Sequence, residues 1–418
     1  MHVDTPSPRP ADRARPAGPG GRARRRAVAL VAAGLFVIVL VLWLVAARRD
    51  PTLLDRDWTA FDRAGDRVRA GGWAEAYRAS AEEPLPFLYP PYSLWLTLPL
   101  TLLGTAASYA VVLASALVAL AASGWFLRSM LPGRDVELAV VLTLSALSGP
   151  FLLVVVIGQV SASYVVAILA GTWLLHRGHR FAGGAVWSLL VIKPNLALPF
   201  ALYLAVRGER RAVAGFGAGA SAALLATVPM GPDAWRGFID GLGVVGRMLT
   251  DMDNWYGQAT VLAAVRSVLH PVGADWAAAP LWSAVCLPLG LGVLRAWRRA
   301  EVGDPAQQLR LVGTVCLVAV AGNNRLYAYD ALLLVIPAAA WYLGRPPAGS
   351  GGTAPPDRTG WYVAAAFAVL WAVFAGQPVA PAAGLVSAGW LWSEVRALRA
   401  GRSVPVTPSA PCDAPPMR

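Results

Sequence analysis

Lysine is nearly missing from this chain. Lys193 is the only one, although Lys and Arg together number 36 across 418 residues. Charge as a whole is scarce: Asp, Glu, Lys and Arg make up 14% of the sequence, where soluble domains hold about 25%. That deficit excludes an ordinary soluble domain. Cysteine is down to three residues, Cys286, Cys316 and Cys412, with neither metal-ligand nor disulfide spacing. The four histidines are scattered, and His176 and His179 fall in a basic stretch, "HRGHRF", so no metal site is expected. No aromatic residues interleave with the seven arginines of the first 26 residues, and the formal net charge of +12 therefore does not point to nucleic acid. No Gly-rich phosphate-binding loop is present, and no cofactor is expected.

What remains is apolar. Hydrophobic residues make up 56% of the chain, and runs of about 17–25 residues, long enough to cross a bilayer, recur along it. Candidate spans lie at 27–47, 88–104, 106–127, 136–157, 159–175, 181–206, 212–229, 276–294, 309–322, 326–343, 360–375 and 379–395. The expected fold is an all-α polytopic integral membrane protein of about ten to twelve transmembrane helices. Three parts follow: a tail at 1–26, a transmembrane body at 27–397 and a second tail at 398–418. Arg9, Arg13, Arg15 and four further arginines crowd the first tail, which is also rich in Pro and Gly. Such a segment is expected to be disordered, and a basic tail ahead of an apolar run belongs in the cytoplasm. No small-residue cleavage site follows the first run, where "AARRDP" comes next, so it reads as a span and not as a signal peptide.

Charge also suggests the topology. The later basic clusters are Arg128/Arg134, "HRGHR", "RGERR" at 207–211, "RAWRR" at 295–299, Arg345/Arg358 and "RALRAGR" at 396–402. All are cytoplasmic if two apolar stretches enter the membrane without crossing it. The candidates are 88–104, with Pro90, Pro91 and Pro99, and 181–206, interrupted by Lys193-Pro194. Proline removes a helical hydrogen bond, and broken helices at membrane depth need protein or a water-filled cavity around them. Gln159, Lys193, Asn195, a loop at 230–258 and "NNR" at 323–325 then share the outer side.

Each polar residue on that side has a plain reading beside a functional one. Trp58, Phe61, Ala64 and Val68 are spaced for an amphipathic helix lying along the membrane surface, and Asp57 begins it. An Asp there is a helix cap or a catalytic base. Lys193 is a snorkelling lysine or a deliberate cation, since a charge at the bilayer centre costs about 2.5–3.5 kcal/mol on insertion scales. Arg325 is an interfacial anchor or a phosphate fork, and Asp330, one helical turn on, could simply pair with it. Tyr89 in "YPP" is a belt aromatic or a sugar contact. Gln159 follows Gly158 at an expected helix break, where a buried amide needs partners. The 230–258 loop offers Arg247, Asp251, Asp253, Trp255 and Tyr256 as a sugar-binding surface or an ordinary one.

Longer stretches carry a resemblance. "DW-x-x-F" at 57–61, "GGWAEAY", "FLYPPYSLWLTLPL", "IGQVSASYVVAILAGTWLL" and "AGGAVWSLLVIKPNLALPFALYLAVRGERRAVAGF" occur in that order, followed by "NWYGQATVLAAVRSVL" and "NNRLYAYDALLLVIPA". Together they resemble glycosyltransferase family 87, polytopic GT-C enzymes that use polyprenyl-phosphate sugars. The resemblance implies a GT-C-like fold with an outer juxtamembrane helix, and an inverting transfer with Asp57 as general base. Lys193 and Arg325 would then bind the donor phosphate, with Tyr89, Gln159, Asn195, Arg247 and Asp330 lining the substrate pocket. It implies a polyprenyl-phosphate donor, mannose first and arabinofuranose next, and a glycolipid or cell-envelope glycan acceptor. The partners are completed by the lipid bilayer, and the site faces the outer side of the cytoplasmic membrane. A lipid phosphate leaves readily, so no second carboxylic acid is required. Two positions depart from the family pattern: "AYD" stands where some members carry a histidine, and Arg78 follows Tyr77 where an Asp is expected. The other class compatible with polar groups in broken segments is a transporter or flippase for a lipid-linked substrate.

Overall fold

The computed structural model describes residues 56–77, 87–251, 258–344, 358–374 and 379–399. The tail at 1–26, the candidate span at 27–47, Arg78 and residues 400–418 lie outside the described residues. Those described are almost entirely helical; the one exception to helices and turns is an isolated antiparallel bridge between Gln258 and Tyr327. The fold is all-α.

In chain order the helices are α1 (Arg56–Gly71), α2 (Leu94–Thr101), α3 (Thr105–Met130), α4 (Asp135–Ala146), α5 (Gly149–Ile157) and α6 (Ser161–His176). Next come α7 (Arg180–Trp187), α8 (Pro194–Val206), α9 (Arg210–Leu225), α10 (Gly231–Asp251) and α11 (Val261–Leu269). The last five are α12 (Ala278–Arg299), α13 (Pro305–Ala321), α14 (Val335–Leu343), α15 (Arg358–Phe374) and α16 (Ala380–Arg399). Local signals set several boundaries. Asp304 caps α13 by accepting from the Gln307 amide at 2.8 Å, with Pro305 opening the helix. Ser148 caps α5 in the same way.

Among the described residues, three helical stretches are long and apolar enough to cross a bilayer: Thr105–Met130, Arg210–Gly243 and Asp275–Arg299. The α4–α5 pair makes a fourth if its 52° bend is counted within one span. The remaining apolar helices run to 10–17 residues, so most of the expected spans are delivered in shorter pieces. Helix α13 forms the centre of the main core, with Leu311, Val315 and Val320 fully buried among its neighbours. A smaller core forms around α1, where Trp58, Phe61 and Ala64 pack with Tyr77, Phe87 and Leu94. Outward faces carry Leu102, Val118, Leu198 and Leu225, the arrangement expected where the surrounding solvent is lipid.

Both doubtful stretches return to where they start. Residues 88–104 are tied at one end by Tyr89, whose ring packs 4.7 Å from Phe61, and at the other by the adjoining Thr105, whose hydroxyl bonds to Asp62. Phe61 and Asp62 are adjacent on α1, so the stretch does not cross the molecule. Residues 181–206 form two half-helices whose outer ends meet in an ion pair, Arg180 with Glu209 at 2.9 Å. Arg207 then donates to the Trp297 carbonyl at 2.8 Å, Gln308 reaches the Thr172 carbonyl at 3.5 Å, and Arg310 pairs with Glu394 at 2.6 Å. These ties gather the ends of α6, α8, α12 and α16, with their arginines, at one end of the fold. Lys193 is the tip of the hairpin pointing the other way.

One expectation is corrected. Residues 230–258 are not a loop: α10 takes 231–251 of them. Trp235, Phe238 and Leu242 recur at helical spacing, and Phe238 packs against Tyr77 with centroids 5.8 Å apart. Arg247 has its backbone in this helix, but its side chain, like Asp253, Trp255 and Tyr256, lies outside the described residues.

Candidate active site

The site starts from a helix break. Helix α5 ends at Gly158, which adopts φ +74° in the left-handed region. A Cβ on that residue would stand 2.6 Å from the Cβ of Trp58, so only glycine lets the break lie against α1. Helix α1 is fixed there by the Trp58 indole, which donates to Ser108 at 2.7 Å, and by the Asp62–Thr105 hydrogen bond. The expected amphipathic helix is present, with its apolar face turned into the protein.

Gln159 therefore leaves the break directly beside Asp57. Its amide nitrogen donates to the Asp57 carboxylate, and its amide oxygen accepts from the Tyr89 hydroxyl at 3.0 Å. Gln159 is 3% exposed, so its own end of both bonds is buried while Asp57 and Tyr89 are half-buried. Tyr89 is held in turn through its carbonyl, which accepts from the Tyr77 hydroxyl at 3.0 Å. Burial pushes the Tyr77 phenol well above its ordinary range, so it stays a donor at any working pH.

On the other side of Tyr89 stands Lys193. Its extended backbone joins the 3₁₀ turn Ser188–Ile192 to α8, and Pro194 opens α8. The ammonium reaches both oxygens of Asp330, at 2.7 and 2.8 Å, and the Ser161 hydroxyl donates to the same carboxylate at 2.7 Å. Three tyrosine rings surround the ammonium: Tyr329 at 4.8 Å, Tyr89 and Tyr164 at 5.7 Å each. Asp330 thus pairs with Lys193, and the plain reading in which it pairs with Arg325 does not hold. Residues 323–327 are irregular, tied by the Ala259 amide to the Leu326 carbonyl at 2.7 Å, so Asp330 does not stand one helical turn from Arg325.

Asn195, two residues past Lys193, clasps that irregular segment. Its amide nitrogen donates to Asn323 at 3.1 Å and to the Arg325 carbonyl at 2.9 Å. The Asn323 side-chain oxygen also accepts from the Arg325 amide at 3.0 Å, while its buried amide nitrogen has no partner among the described residues. Arg325 is half-buried, and its guanidinium forms no ion pair among the described residues.

The structure therefore brings together Asp57, Tyr89, Gln159, Lys193 and Asp330, with Asn195 and Arg325 alongside. Sequence reasoning missed Ser161, Tyr164, Asn323 and Tyr329. Ser161 had a usable signal, a hydroxyl in an apolar run two residues after Gln159. Among the described residues no three His, Cys, Asp or Glu side chains cluster in a way that could hold a metal. A carboxylate and a compensated cation thus face each other across a tyrosine.

A scan against known families matches residues 87–321 to the model of glycosyltransferase family 87. The chain belongs to that family. No curated protein and no solved structure matches it. It is a membrane glycosyltransferase. The matched segment holds Gln159, Lys193 and Asn195, whereas Asp57 lies before it and Arg325 and Asp330 after it. What unites the three parts in this member of family 87 is the hydrogen bonding described above.

Proposed function

We propose that this family 87 enzyme moves a sugar, mannose in the leading reading, from a polyprenyl monophosphate to a hydroxyl of a glycolipid or cell-envelope glycan. The reaction takes place on the outer side of the cytoplasmic membrane and inverts the anomeric centre. Asp57 removes the proton from the acceptor hydroxyl as its oxygen attacks the anomeric carbon, and the bond to phosphate breaks with its electron pair leaving on the phosphate. Lys193 has three donor hydrogens, of which Asp330 takes two, and the third is directed to a donor phosphate oxygen. Arg325, which forms no ion pair among the described residues, supplies further positive charge beside it.

The observation that carries this reading is the convergence of Asp57 and Lys193 on the two sides of Tyr89, at the end of the fold away from the basic loops. The test is direct. Purified protein is incubated with a panel of polyprenyl-phosphate sugars and an envelope lipid extract, and transfer is followed by mass spectrometry. Asp57→Asn should abolish transfer while leaving expression and folding unchanged. Full activity in that variant would overturn the assignment of the base, and no transfer from any donor would favour a transporter of a lipid-linked substrate.

A further inference from the structure

The amide of Gln159 sits between the carboxylate of Asp57 and the hydroxyl of Tyr89, and its orientation is not free. An ionised carboxylate only accepts hydrogen bonds, so the Gln159 nitrogen must face Asp57. The oxygen is then left for Tyr89, which must donate to it. The Tyr89 backbone is anchored separately by Tyr77. A directed relay results: Tyr77 fixes Tyr89, Tyr89 fixes the amide, and the amide fixes one oxygen of Asp57.

We propose that Gln159 is the positioning residue of the reaction, holding Asp57 ionised and aimed at the acceptor, and that it is not a substrate contact. The inference rests on Asp57 being the base. A donor N–H favours the charged carboxylate over the protonated acid, because the acid cannot accept as well at that oxygen. The amide is buried and held from its far side, so it cannot turn away to bind a sugar without breaking the bond from Tyr89. The Gly158 break supplies the reason for its placement, since the next residue necessarily emerges against the first turn of α1. Asp57 also lies in the electrostatic field of Tyr89, Lys193, Tyr327 and Tyr329, and through them of Asp330 and Arg325. All of these stay in place when Gln159 is changed.

The experiment compares the pH dependence of kcat in wild type, Gln159→Leu, Gln159→Glu and Tyr89→Phe, with KM for donor and acceptor measured alongside. Loss of one hydrogen bond to a charged group should move the acidic limb of Gln159→Leu upward by about one to two pH units. KM should change little. Gln159→Glu sets a second carboxylate beside the first, so its acidic limb should move further in the same direction. Tyr89→Phe frees the amide without removing it and should show a smaller shift. A raised KM in Gln159→Leu with an unmoved acidic limb would overturn the inference and make Gln159 a substrate contact. An unmoved limb with unchanged KM would overturn it as well. Circular dichroism and size-exclusion profiles identify any variant that fails to fold, and Tyr89→Phe, which keeps the amide, then carries the test. Failure of the base assignment itself is distinguished by Asp57→Asn, which would remain active.

Discussion

The most informative pairing at the scale of single residues is Lys193 with Asp330. Both are largely buried, at 13% and 3% side-chain exposure. Removing one partner leaves the other charge uncompensated, which costs about 3–5 kcal/mol. Lys193→Met should therefore lower thermal stability in detergent markedly, and Asp330→Asn should do so to a lesser degree because the ammonium keeps one acceptor. The double variant Lys193→Met/Asp330→Leu should recover most of the lost stability and none of the activity. Scanning fluorimetry together with the transfer assay separates the two effects. If the double variant regains transfer, Lys193 has no role beyond structure.

At the scale of elements, the hairpin carrying Lys193 is positioned by the packing of α7 on α9. The two helices approach so closely that a Cβ on Gly184 would stand 1.9 Å from the Ala212 carbonyl oxygen, and one on Gly215 would stand 2.0 Å from that of Phe181. Small residues allow helices to approach this way where the hydrophobic effect gives little help. Gly215→Ala should force the helices apart, cost about 1–3 kcal/mol and reduce transfer by displacing the lysine. Gly217→Ala is the control, because nothing lies within 4 Å of the added carbon. Equal effects of the two substitutions would mean that this contact does not position the hairpin. Pattern reasoning at this scale was uneven. The periodicity of Trp58, Phe61 and Ala64 revealed α1, and Lys193-Pro194 revealed the break. The same periodicity in Trp235, Phe238 and Leu242, which builds α10, is masked in the sequence by the Gly and Asp residues between them.

For the whole molecule, the consequence is topological. The Arg180–Glu209 pair closes a hairpin, and a hairpin that does not cross the bilayer should present both of its ends on one side. In a background lacking Cys286, Cys316 and Cys412, His179→Cys and Arg210→Cys should react with an impermeant thiol reagent from the same side. Ala70→Cys, exposed on the helix that carries Asp57, should react from the opposite side. Labelling of His179→Cys and Arg210→Cys from different sides would show that 181–206 crosses the membrane.

Composition, apolar runs and the placement of prolines were enough to determine an all-helical membrane protein, and they pointed to two proline-broken stretches and to the polar residues that the fold gathers. Those properties follow from local rules, since a bilayer demands length, apolarity and satisfied backbone groups from each segment separately. The partners of the polar residues came only with the tertiary structure. Asp330 lies five residues from Arg325 yet bonds to Lys193, 137 positions away, and Gln159 meets Asp57 across 102. A buried charge takes the partner that the packing of distant helices delivers to it, and no spacing along the chain encodes that choice.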